Sequence, residues 1–72
     1  MSKKYLPKYQ KLTKKLRLAR HEAKLTQVEA SKKLKRTQAY ISKIERGERN
    51  VDALELAELA KIYNKDINHF IK

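Results

Sequence analysis

The stretch from Thr37 to Arg49, TQAYISKIERGER, puts a particular set of side chains on one short helix. At 3.6 residues per turn, Ile41 and Ile44 form an apolar stripe, and Gln38, Ala39, Ser42, Lys43 and Arg46 fall on the other side. Gln38, Ala39, Ser42 and Lys43 match the chemistry of base edges in a DNA major groove. Glutamine pairs bidentately with adenine, lysine with guanine and serine with either, while alanine touches the thymine methyl. The plain alternative is an ordinary solvated helix face, and the residue types alone do not decide between the two. No other chemistry has its residues. His21 and His69 stand alone, without Cys or a carboxylate at metal-ligand spacing. No Ser/His/Asp set, glycine-rich phosphate loop or clustered carboxylate pair is present, so the expectation is a non-enzymatic chain without metal or cofactor.

Charge narrows the partner. Of 72 residues, 19 are Lys or Arg and 8 are Asp or Glu, a net charge of +11. Residues 1–36 carry 13 basic and 2 acidic side chains, and residues 37–72 carry 6 of each, so the whole excess lies in the first half. Neutralising phosphates releases condensed counterions, which makes nucleic acid the first partner to consider. An anionic membrane surface and a merely solubilising charge are the alternatives. No apolar run approaches the roughly 18 residues of a membrane span, and the basic N-terminus lacks the apolar segment of a signal peptide, so a cytoplasmic location is expected. Cysteine is absent, so a core this small has no disulfide to support it.

These side chains need elements to hold them. One Gly, one Pro and no alternating β-branched run predict an all-α chain. Pro7 opens a helix to about Ala23 whose apolar face is Tyr9, Leu12, Leu16, Ala19 and Ala23. Thr26 and Glu29 form a T-x-x-E capping box before a helix to about Leu34, with Ala30 and Leu34 inward. Thr37 caps the next helix and Gly47 ends it. Asp52 and Glu55 repeat the box before a helix filled by Leu54, Leu56, Ala57, Leu59, Ala60 and Tyr63, and Asn64 suits its left-handed end. Asp66 opens a last short helix. Five helices result, after a basic tail over residues 1–6. The second and third are joined by a turn of a few residues, which is the spacing of a helix-turn-helix at about residues 26–46. In that motif the second helix enters the major groove and the first crosses the backbone.

LTQVEASKKLKRTQAYISKIERGER closely resembles the helix-turn-helix of lambda-repressor/Cro-like regulators, the xenobiotic-response-element family, and the likeness runs from about Leu16 to Phe70. The resemblance implies a compact five-helix domain over residues 1–72 that binds double-stranded DNA operators, usually as a dimer. It implies that Gln27 bonds a phosphate, where the free N–H groups and positive dipole end of a helix suit an anion. It implies base reading by Gln38, Ala39, Ser42 and Lys43, and backbone contact by Arg49 and Asn50. Tyr40 matches a backbone-contacting position, with core packing as its alternative. Arg46 reaches either a base or a phosphate. Arg20 and Glu45 match a structural ion pair. Two positions depart from the family: Lys35 stands where glycine is usual, in a left-handed turn, with its charge offered to a phosphate. Ala30-Ser31 replaces a larger Leu-Ala, so Tyr9, Tyr40 or another large neighbour must fill the core.

The expectation is therefore a sequence-specific, repressor-like transcription regulator acting on a palindromic operator as a homodimer. An antitoxin or adaptor module, or a sequence-independent nucleic-acid binder, is the alternative. Ile67, Phe70 and Ile71 cannot all face one small core on so short a helix, so this electrically neutral end is the expected dimer contact.

Overall fold

The structure, a computed structural model, describes residues 7–71, with side chains from Gln10 onward. The expected tail over residues 1–6 and the Tyr9 side chain lie outside the described residues. The fold is all-α, with α1 (Pro7–Glu22), α2 (Gln27–Leu34), α3 (Gln38–Glu45), α4 (Ala53–Ile62) and α5 (Asn68–Ile71).

The starts of α2 to α5 each follow from a polar side chain. The Thr26 hydroxyl accepts the Glu29 N–H at 3.1 Å, and Glu29 Oε1 accepts the Thr26 N–H at 2.8 Å. Asp52 and Glu55 make the same reciprocal pair at 2.7 and 3.0 Å. Thr37 Oγ1 accepts the Tyr40 N–H at 3.2 Å, and Asp66 Oδ1 accepts that of Asn68 at 2.8 Å. Each of these oxygens satisfies a backbone donor that a helix terminus leaves without a partner.

The first four helices all end in one motif. Lys24, Lys35, Gly47 and Asn64 adopt positive φ of 61°, 58°, 74° and 59°. In each case the next residue donates its N–H to a carbonyl five positions back: Leu25 to Arg20 at 3.1 Å, Arg36 to Ser31 at 2.9 Å, Glu48 to Lys43 at 2.8 Å and Lys65 to Ala60 at 2.9 Å. Glycine and asparagine suit this conformation, whereas lysine carries a Cβ that crowds the following carbonyl at a cost of about 1–2 kcal/mol. Lys24→Gly and Lys35→Gly should each stabilise the fold by about 0.5–1 kcal/mol, after allowing for the greater freedom of glycine in the unfolded chain. Thermal melting should show a rise of a few degrees for each. A fall in either variant would mean that the lysine makes a compensating contact.

The core gathers Leu16 and Ala19 of α1, Ala30 of α2, Tyr40, Ile41 and Ile44 of α3, Leu56, Leu59 and Ala60 of α4, Tyr63 and Phe70. Leu12, Ala23 and Leu34 are partly buried against it. Ser31 is buried as well, and its hydroxyl donates to the Val28 carbonyl at 2.7 Å. The apolar face expected of α4 is narrower than its composition suggested. Leu54 is 73% exposed and Ala57 is exposed, because α4 carries apolar residues around most of its circumference while only one side meets the core. Glu22 pairs with Lys65 at 2.7 Å and Lys15 Nζ donates to the His69 carbonyl at 3.1 Å, which ties α1 to the C-terminal segment.

Candidate nucleic-acid interface

α2, the turn over residues 35–37 and α3 form the helix pair on which the interface is built. α2 and α3 pack directly on each other. Tyr40, Ile41 and Ile44 bury the inner side of α3. Gln38, Ala39 and Lys43 are exposed on its outer side, with Ser42 half-buried among them. Arg46 continues this outer side and pairs with Glu48 at 3.1 Å, both being exposed. Isolated surface pairs of this kind hold weakly, so a phosphate or base can compete for the guanidinium.

One border of the outer face is a chain of hydrogen bonds. Arg20 grips Glu45 with two N–H groups, Nε to Oε2 at 2.7 Å and Nη2 to Oε1 at 3.1 Å. Its Nη1 donates to the Leu25 carbonyl at 2.9 Å. The side chains are only 9% and 5% exposed. The hydrogen bond to Glu45 raises the affinity of Arg20 for its proton further, against the desolvation that opposes it. Gln27 Nε2 donates to Glu45 Oε1 at 3.2 Å, and Gln38 Nε2 donates to Gln27 Oε1 at 3.3 Å. The structural ion pair thus runs through α2 to the first residue of α3. Gln27 and Gln38 line an open cleft with His21, Lys24 and Thr26 at the α2 N-terminus, where free backbone donors and two nearby basic side chains suit an anion.

The other border is built on Tyr40. Its ring is buried, and it has the Arg49 guanidinium carbon 4.6 Å and that of Arg36 5.0 Å from its centroid. Both lie within the range of a cation–π contact. Arg49 also grips Glu55, Nη1 to Oε1 at 3.1 Å and Nη2 to Oε2 at 2.9 Å, and donates to the Asn50 carbonyl at 2.9 Å. The hydrogen bond from Arg49, aided by the Asp52 N–H, holds the Glu55 carboxyl down at about 2. Burial pushes the Tyr40 phenol up, and the negative charge of Glu55 pushes it the same way. Tyr40 packs in the core with its ring. Asn50 is exposed beside it.

Other sequence-expected residues separate from this surface. Lys35 has the left-handed backbone expected of it, but it lines a groove with Lys33, Glu58, Lys61 and Ile62 between α2 and α4, apart from the cleft at Gln27 and Gln38. At the C-terminus, Phe70 is buried in the chain's own core, Ile67 is packed partly against it, and Ile71 is 62% exposed. Sequence reasoning missed Arg36, assigned only to a turn, and the pairing of Glu55 with Arg49, since Glu55 was read as a cap alone. The spacing of Arg36 four residues before Tyr40 carries no signal, because the extended Thr37 cap separates Arg36 from the helix.

A helix-turn-helix with a hydrogen-bonding outer face is the architecture of a DNA-binding domain. The sequence model of the helix-turn-helix family matches residues 14–70, and the chain belongs to this family, the lambda-repressor-like regulators. It is thus a DNA-binding helix-turn-helix protein of a regulatory family that is generally non-enzymatic. No curated protein and no solved structure was found to match the chain. Among the described residues, no group of three or more His, Cys, Asp or Glu is placed to hold a metal ion, and no helix is long and apolar enough to cross a membrane.

Proposed function

We propose that the protein is a sequence-specific regulator of transcription that acts in a repressor-like way, by occupying a nearly palindromic operator as a dimer. The observation that carries this reading is the character of the outer face of α3. Gln38, Ala39, Ser42 and Lys43 include a single charge, on a chain whose net charge is +11. A surface that only neutralised phosphates would not set its mildest side chains at the centre of the motif. Gln38 and Lys43 read base edges, while Gln27, Arg49, Asn50 and Arg46 meet the backbone. A single recognition helix reads only a few base pairs, too few to mark one site among many. Two helices related by a two-fold axis would enter successive major grooves about 34 Å apart. The dimer contact belongs to the electrically neutral half, where Ile71 is turned outward and Leu54 is the most exposed large apolar side chain. Phe70 supports that end from within its own core.

Selection from a random duplex pool tests this reading. The recovered sites should contain two related half-sites about one helical turn apart, and sedimentation should find two copies of the protein on each. On a recovered site, Gln38→Ala or Lys43→Ala should weaken binding by about 1–3 kcal/mol and relax preference at one or two base pairs. Gln27→Ala should weaken all duplexes alike. A pool that returns no common sequence favours sequence-independent binding. Absence of duplex binding altogether favours an adaptor that takes an acidic protein partner.

A further inference from the structure

The two borders of the α3 outer face are built differently, and only one of them contains the α2 N-terminus. At 3.6 residues per turn, Gln38 and Glu45 border the face on one side, and Lys43 and Tyr40 border it on the other. The first border leads to Gln27 and the cleft at the start of α2. The second leads to Arg36 and Arg49, which come from opposite ends of α3 and meet over one ring. An α-helix with its side chains is about 10–12 Å across, and the major groove is about 12 Å wide. A helix seated in the groove therefore has a phosphate strand along each side.

Resting on the DNA-binding reading, we propose that Arg36 and Arg49, docked on the Tyr40 ring, form a two-guanidinium seat for backbone phosphates. The strand it holds is the one opposite that met by Gln27 and the α2 N-terminus. Arg36 is the principal cation of this seat. Arg49 is already balanced by Glu55 through two bonds, whereas the contact shown for Arg36 is the aromatic ring. A ring restrains a guanidinium without occupying its N–H groups, so Arg36 keeps its planar fork for a phosphate and loses less side-chain freedom on binding. The Arg49 side chain is 37% exposed beside Glu55. Tyr40 is a positioning residue here. Its hydroxyl faces Glu55, and its ring sets where both guanidiniums stand. The seat gives α3 a fixed depth and tilt in the groove, since the helix is held from both sides.

The test combines salt dependence with uncharged methylphosphonates walked along each strand of a bound duplex, using the whole protein. Arg36→Ala should reduce the slope of log affinity against log salt by about 0.9 for each protomer bound, about 1.8 for a dimer, with equal weakening on operator and scrambled duplexes. It should also abolish the sensitivity to a methylphosphonate at a position on one strand. Gln27→Ala should abolish a sensitivity on the other strand. Tyr40→Phe, which keeps the ring, should retain the wild-type slope and pattern, with melting curves confirming that each variant is folded. An unchanged slope and pattern in folded Arg36→Ala overturns the seat. So does mapping of Arg36 and Gln27 to the same strand. Loss of a phosphate contact in Tyr40→Phe would transfer the contact to the hydroxyl and overturn the positioning role. A wild-type protein without salt-dependent duplex binding would overturn the DNA-binding reading beneath the proposal, and a silent Arg36→Ala on a binding protein overturns the proposal alone.

Discussion

Glu45→Ala should cost about 3–5 kcal/mol of folding stability, the range for removing one partner of a buried charge pair. The reason lies in what is left behind. Arg20 would keep a buried guanidinium with the Leu25 carbonyl as its remaining strong acceptor and the His21 ring nitrogen at 3.3 Å. Domains of this size have only a few kcal/mol to lose, and no cysteine is available to cross-link the chain. Urea unfolding followed by circular dichroism measures the effect directly, and the midpoint should drop steeply or the transition vanish at room temperature. Replacing both Arg20 and Glu45 with leucine should cost much less, because no charge is then stranded. A loss below about 1 kcal/mol in Glu45→Ala would mean that water reaches Arg20 readily. Folded Glu45→Ala protein should also read DNA poorly, since Gln27 loses the acceptor that holds it beside Gln38.

Affinity for DNA should fall about a thousandfold between 50 and 200 mM salt. Each protomer offers Arg36, Arg49 and Lys24, which lines the cleft at the α2 N-terminus, as cations for phosphates, so a dimer would neutralise about six phosphates and give a slope near −5. The exposed Lys11, Lys14 and Arg17 of α1 can only steepen this. Equilibrium titrations at four or five salt concentrations are sufficient. A slope shallower than about −2 would show that the basic half of the chain lies away from the phosphates, and it would favour an acidic protein partner.

Much of the fold could be read from residue types, because helix ends are governed by local chemistry. Thr26 with Glu29, Thr37, and Asp52 with Glu55 cap where their side chains predict. Gly47 and Asn64 end helices where a left-handed residue is expected. Lys24 takes the same conformation with no such signal in its residue type. The left-handed Lys35 was anticipated only through a family likeness. Leu54 shows the limit of periodicity: a helix rich in apolar residues does not reveal which of them faces inward. The interface divides in the same way. The outer face of α3 was legible because one helix defines it. The Arg20–Glu45 pair spans 25 residues and was anticipated only by resemblance. The Tyr40 cluster was not legible, because it depends on how the chain crosses from α3 to α4 and back over the ring.

The hydrogen bonds between Arg20 and Gln38 converge on Glu45, which accepts from both sides. A carboxylate has no proton to give, so Glu45 compels Gln27 to turn its NH2 group inward. The Gln27 oxygen must then face Gln38, and Gln38 must answer with its own NH2 group. Either amide alone would be free to flip end for end at almost no energetic cost. Together, behind an acid, they have one handedness. Gln38 therefore presents its oxygen and its remaining N–H in a fixed order, and exchanging Glu45 for its neutral amide would remove the acceptor that imposes it.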